Sequence, residues 1–184
     1  MSNFRRGFLI AIKFCLLVYA VLTGIPCFVD PEYSKYGGFL AGLALPFLPE
    51  IVGKIFKCKF SFRIELLYYA FVFIALDMGI CIDLYKTVPF FDKAVHFCSG
   101  IFSALVGHYA LVYFKANKTP KLFKAMFIMF FSISIGVLWE FFEFGCDKFL
   151  GQSMQQLVSV GVDDTMFDLL CATFGAALGG YLLI

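Results

Sequence analysis

Residues 122–146, LFKAMFIMFFSISIGVLWEFFEFGC, decide the fold class: past Lys124 the run is apolar or small until Glu140 and Glu143. A stretch of about 20 such residues is the length that crosses roughly 30 Å of hydrocarbon as a helix. Comparable runs fill the rest of the chain, near 7–29, 36–55, 62–84, 90–114 and 165–184. Composition agrees, because 61% of the 184 residues are apolar and only 15% are charged, with a mean hydropathy of +0.89. So little polar surface cannot cover a soluble core. Backbone groups in lipid must be satisfied within each segment, which favours helices over the alternating pattern of a barrel. The expected fold is all-α: a polytopic membrane protein, a bundle of about six transmembrane helices forming a single integral membrane domain over 1–184.

Charge orients the bundle. Arg5 and Arg6 precede the first span, Lys54, Lys57, Lys59 and Arg63 follow the second, and Lys115, Lys118, Lys121 and Lys124 follow the fourth. With six spans these segments share one face, and basic connections mark the cytoplasmic side. Both termini are therefore expected in the cytoplasm, with Lys13 snorkelling toward that side. Of thirteen acidic residues, eleven fall toward the opposite face, against four lysines: Lys35, Lys86, Lys93 and Lys148. The first span, with Arg5 and Arg6 before it, has the look of a secretory signal, but its apolar stretch is too long and it is read as a retained helix. Pro46 and Pro49 are expected to kink the second span.

The acids on the outer side recur at helical spacing. FDKAVHFCSG (91–100) sets Asp92 and His96 at i and i+4; LWEFFEFGCDKFLG (138–151) puts Glu140, Glu143 and Asp147 on one face; VDDTMFDLL (162–170) sets Asp164 and Asp168 at i and i+4. Each helix presents a polar stripe at a similar depth. Asp77 and Asp83 stand near enough along the third span to extend the group, whereas Asp30 and Glu32 read as loop charges. Ionisable side chains within spans are costly and face a bundle interior or a wet cavity. Crowded carboxylates need a cation, or else some must hold protons.

Imidazole with carboxylates suits Zn²⁺, Mn²⁺ or Fe²⁺, and carboxylates alone suit Mg²⁺ or Ca²⁺. The expected metal ligands are Asp92, His96, Glu140, Glu143 and Asp168, with Asp164 or Asp147 as general base. Simpler roles stand beside these: Asp92, Asp163 or Asp164 as helix caps, Asp147 as a solvated helix end, and His108 and the seven cysteines as packing residues. The run Gly175-Ala176-Ala177-Leu178-Gly179-Gly180 suits close helix contact.

In combination, DKAVHFCSG, LWEFFEFGCDKFLG and DDTMFDLL with the Gly/Ala-rich ending resemble the YjdF-like family of bacterial inner-membrane proteins over about the last 120 residues. Asp92, Lys93 and His96 more remotely resemble the corresponding helix start in VanZ-like membrane proteins. The resemblance implies a compact helical protein of the bacterial plasma membrane and brings no reaction with it. Cys171-Ala172 stands where the family pattern leads one to expect another acid.

Three classes of function fit these residues. The first is a metal-dependent hydrolase or transferase at the outer leaflet, acting on a lipid-linked or phosphorylated substrate, in which a divalent ion lowers the pKa of bound water. The second is a cation- or proton-coupled transporter or sensor, and the third a structural or assembly protein. Membrane lipid is the expected partner. Nucleic acid is not, since the basic clusters are accounted for by topology and anionic headgroups. The oligomeric state is left open.

Overall fold

The computed structural model describes residues 3–29, 36–82, 84–155 and 161–184. Among these there are helices and connections but no strand. The chain divides into two compact units, Met1–Val88 and Pro89–Ile184. The loop charges Asp30, Glu32, Lys35 and Asp83 lie outside the described residues.

The first unit begins with α1 (Asn3–Val29) and α2 (Tyr36–Ala44). A 3-10 turn, Leu45–Phe47, joins α2 to α3 (Leu48–Ile55). This break is the expected kink, and its chemistry is local. Pro49 has no N–H to give to the Leu45 carbonyl four residues back. That carbonyl instead accepts from Leu48 N–H within the 3-10 turn and from the Tyr68 hydroxyl at 2.7 Å. Tyr68 belongs to α4 (Phe62–Val72), which Ser61 caps by accepting from Ile64 N–H. In lipid, where water cannot satisfy a freed carbonyl, the tyrosine makes the kink tolerable. Lys13 finds the Glu50 carboxylate and lies over the Phe47 ring.

The span expected over 62–84 is built as α4 continued by a π-helical segment, Phe73–Cys81, with the short α5 (Leu84–Thr87) after it.

The second unit holds α6 (Phe91–Tyr113), α7 (Lys121–Leu150) and α8 (Asp163–Leu183). Helices α6 and α8 meet backbone to backbone. A Cβ on Gly100 would lie 2.1 Å from the Ala172 carbonyl oxygen, and one on Gly175 would lie 2.0 Å from that of Phe97. Only glycine permits such an approach, which is how small residues bring helices together without a hydrophobic driving force. The Ser132 hydroxyl of α7 donates to the Gly100 carbonyl at 2.8 Å, tying the third helix to the same point. Ala104, Leu111 and Ile128 form the buried core of this unit. Gly151, at φ +64°, ends α7 in the left-handed conformation usual after a helix.

Large apolar side chains point outward, among them Phe130, Leu138, Phe141, Phe174 and Leu178, while Asp164, Asp168, Glu140 and Glu143 are buried. That is the inverse of a soluble bundle. Among the described residues, five helical stretches, Asn3–Pro26, Tyr36–Ile55, Phe91–Tyr113, Lys121–Leu150 and Asp163–Leu183, are long and apolar enough to cross a membrane. The fold is that of an all-α, multi-pass membrane protein.

Candidate functional site

The close α6–α8 contact places the start of α6 beside the start of α8. Asp92 lies in the first turn of α6, whose N-cap residue is Phe90 and carries no side-chain cap. The Asp92 carboxylate meets the neighbouring Lys93 ammonium at 2.9 Å. From α8, Asp164 Oδ1 reaches the same ammonium at 2.5 Å and Asp168 Oδ1 at 2.9 Å. Three carboxylates thus surround one lysine. Asp163, one residue before Asp164, is exposed; a step of about 100° per residue turns adjacent acids to different faces.

His96 stands one turn along α6 and is 6% exposed. Its Nε2 lies 3.6 Å from Asp92 Oδ1 and 3.7 Å from Asp168 Oδ1. These separations are too long for hydrogen bonds. They fit instead two donors of one ion: ligands at about 2.1 Å in a tetrahedral arrangement stand roughly 3.4 Å apart. One donor atom from each of Asp92, His96 and Asp168 lies within 4.8 Å of the others, the one such group among the described residues.

Glu140 and Glu143 are buried in α7 and stand outside this group of three, though within electrostatic range of Asp92. Glu143 Oε1 accepts from Trp139 Nε1–H at 2.8 Å. Glu140 Oε2 lies 3.5 Å from Gln155 Nε2, and its Oε1 is buried with no hydrogen-bond partner among the described residues. Gln155 also donates to Thr165 Oγ1 at 3.1 Å, linking the connection after α7 to α8. Asp147 holds that connection in place. Its two oxygens accept from the backbone N–H groups of Met154 at 2.6 Å and Gln155 at 2.9 Å. Asp77 belongs to the first unit and lines a cleft there.

Sequence reasoning placed Lys93 among the outer lysines and in the helix start with Asp92 and His96, but gave it no part in the site. A signal was present, since Lys93 and His96 are three residues apart and share a helix face. Gln155 gave none. It lies in an irregular connection and reaches Glu140 only through the path that Asp147 imposes.

Formal charges define what the site can do. Asp92, Asp164 and Asp168 contribute three negative charges and Lys93 one positive, leaving a deficit of two in a low-dielectric setting. A divalent cation would cancel it, and three protein donors would leave it a further coordination position for water or substrate.

Comparison with known proteins bears on family. A protein of Thermotoga maritima described as "Uncharacterized protein" is 32% identical over 163 residues, covering 86% of this chain and 82% of that one. No solved structure matches the chain. The family model described as "Predicted membrane protein (DUF2238)" matches residues 8–184. The sequence, the multi-pass helical fold and this match together place the chain in the DUF2238 family of membrane proteins.

Proposed function

We propose that the second unit is a metal-dependent catalytic module of the bacterial plasma membrane, a hydrolase or transferase acting at the outer leaflet on a lipid-linked or phosphorylated substrate. The observation that carries this reading is the convergence of His96 Nε2 with Asp92 and Asp168, at 3.6 and 3.7 Å, beside a lysine already shared by three carboxylates. Asp92, His96 and Asp168 would hold Zn²⁺, Mn²⁺ or Fe²⁺; Mg²⁺ suits the imidazole less well. The bound ion would supply a water acidified toward neutrality and would offset charge on a phosphoryl oxygen. Asp164, which meets Lys93 at 2.5 Å, would serve as the general base. Asp147, with both oxygens engaged by backbone N–H groups, has the smaller part as a base. Glu140 and Glu143 would tune the field around the ion.

The likeness to YjdF-like proteins, carried by DKAVHFCSG, LWEFFEFGCDKFLG and DDTMFDLL together, and the remoter one to VanZ-like proteins, carried by Asp92, Lys93 and His96, belong to the same reading.

The test is metal analysis of purified protein beside His96→Ala, Asp168→Asn and Glu143→Gln variants. The expected result is about one divalent ion per chain in the parent and in Glu143→Gln, with loss in the other two. Equal metal content in all four would overturn the site.

One observation favours a second reading, cation- or proton-coupled transport or sensing. Lys93 is a built-in cation that an incoming ion would have to displace from Asp168. Ion flux into vesicles carrying the protein, with no turnover of phosphorylated lipid, would select that reading over catalysis.

A further inference from the structure

Within the first unit, α1, α2 and the π-helical segment enclose a small cleft lined by Thr23, Gly38, Gly42, Leu76, Asp77 and Ile80, among others. It has room for one water-sized particle. Asp77 is 4% exposed, and its Oδ2 is buried with no hydrogen-bond donor among the described residues. A carboxylate in such surroundings is costly unless something compensates it. No ion pair involving Asp77 does so among the described residues.

The second polar group of the cleft is also an acceptor. Thr23 directs its hydroxyl hydrogen back to its own helix, with Oγ1 lying 2.9 Å from the Tyr19 carbonyl oxygen and 3.1 Å from that of Ala20. Its lone pairs are left for the cleft. Two oxygen acceptors therefore line a space with no donor among the lining side chains, at a point where the chain is wound as π-helix, a form frequent at functional sites. A water could donate to both oxygens but would leave the charge of Asp77 uncancelled. A divalent ion normally gathers more than one carboxylate. With Asp77 ionised, space for one particle, a single negative charge and hard oxygen donors together fit a small monovalent cation.

We infer that Asp77 and Thr23 form a binding site for one dehydrated monovalent cation of the sodium class, separate from the carboxylate cluster of the second unit. The ion would be held by the Asp77 carboxylate and the Thr23 hydroxyl oxygen, with the remaining positions taken by backbone carbonyls or water. Glycine matters to this geometry. A Cβ at Gly42 would meet Ala20 Cβ at 2.9 Å, and one at Gly38 would meet Ile80 Cδ1 at 2.4 Å, so larger residues would push the walls of the cleft apart.

The experiment uses the purified full-length protein in detergent, unfolded thermally in sodium chloride or in choline chloride at equal ionic strength. Sodium is expected to raise Tm saturably, by roughly 3–6 °C at ten times Kd, with a smaller shift from potassium. Asp77→Asn should abolish the difference, and Thr23→Val should weaken the apparent affinity at least tenfold. A second measurement keeps the inference testable should Asp77→Asn fold poorly. Labelling of Asp77 in the parent protein by a hydrophobic carbodiimide, read by mass spectrometry, should be protected by sodium and not by choline. Equal labelling in both salts would mean that Asp77 holds only a proton, and an equal Tm in both would mean that the cleft holds only water; either result overturns the inference.

Discussion

Lys93 of α6 and Asp164 of α8 form a contact of 2.5 Å across two helices whose backbones touch a few residues further along. The ammonium is shared with Asp92 and Asp168, so its removal leaves three carboxylates facing one another. Lys93→Met is expected to destabilise metal-free protein by roughly 1–3 kcal/mol, below the scale for breaking a fully buried pair because Lys93 is a quarter exposed. Divalent cation should restore more stability to the variant than it adds to the parent. Thermal unfolding with chelator and then with Zn²⁺ measures both, and an identical response of the two proteins would contradict the charge count.

Gly100→Ala tests the helix contact directly. The new methyl group would sit 2.1 Å from the Ala172 carbonyl oxygen, a backbone atom that cannot swing aside. The expected loss is roughly 1–3 kcal/mol or more. Gly145→Ala is the control, since nothing lies within 4 Å of a Cβ there. Replacing an unconstrained helical glycine should stabilise by about 0.5–1 kcal/mol. Opposite signs for the two substitutions, read from denaturant unfolding in micelles, are the predicted outcome.

Trp139 is the sole tryptophan of the chain and donates to Glu143 Oε1, which makes its fluorescence a reporter on that carboxylate. Glu143→Leu should move the emission maximum to shorter wavelength. Zn²⁺ added to the parent should leave the emission nearly unchanged, because Glu143 stands outside the group formed by Asp92, His96 and Asp168. A large Zn²⁺-dependent shift would instead make Glu143 a ligand.

Asp147→Ala removes the acceptor for two backbone N–H groups. Each capping-type bond of this kind is worth about 1 kcal/mol. The variant should become several-fold more sensitive to protease after Leu150, in intact vesicles as well as in detergent. Asp147→Asn, which keeps one oxygen acceptor, should fall between the variant and the parent.

The membrane class and most span positions were legible because apolar runs longer than a helix needs leave few alternatives. Asp92 with His96, and Asp164 with Asp168, were legible as pairs because four residues return a helix to the same face. Their meeting across two helices was not. The run at Gly175 announced close packing, but not that its partner would be the helix carrying Gly100. The role of Lys93 was not legible because two of its three carboxylate partners, Asp164 and Asp168, come from another helix. The task of Asp147 depends on where Met154 and Gln155 turn back, which follows from the tertiary path and has no periodic signature. The kink at Pro46 and Pro49 was visible in sequence, while the Tyr68 hydroxyl that satisfies the Leu45 carbonyl lies 23 residues away.

The glycine contact between α6 and α8 also sets a dimension. Where side chains separate two helices, a site between them can widen by a change of rotamer; where peptide groups touch, the spacing behaves as a fixed gauge. Asp92, Lys93 and His96 on one helix, with Asp164 and Asp168 on the other, are therefore held at a span that the proposed ion would have to match. Selection among cations at this position should follow ionic radius before charge or abundance, and large divalent ions such as Ba²⁺ should be refused even by a site that carries charge enough to attract them.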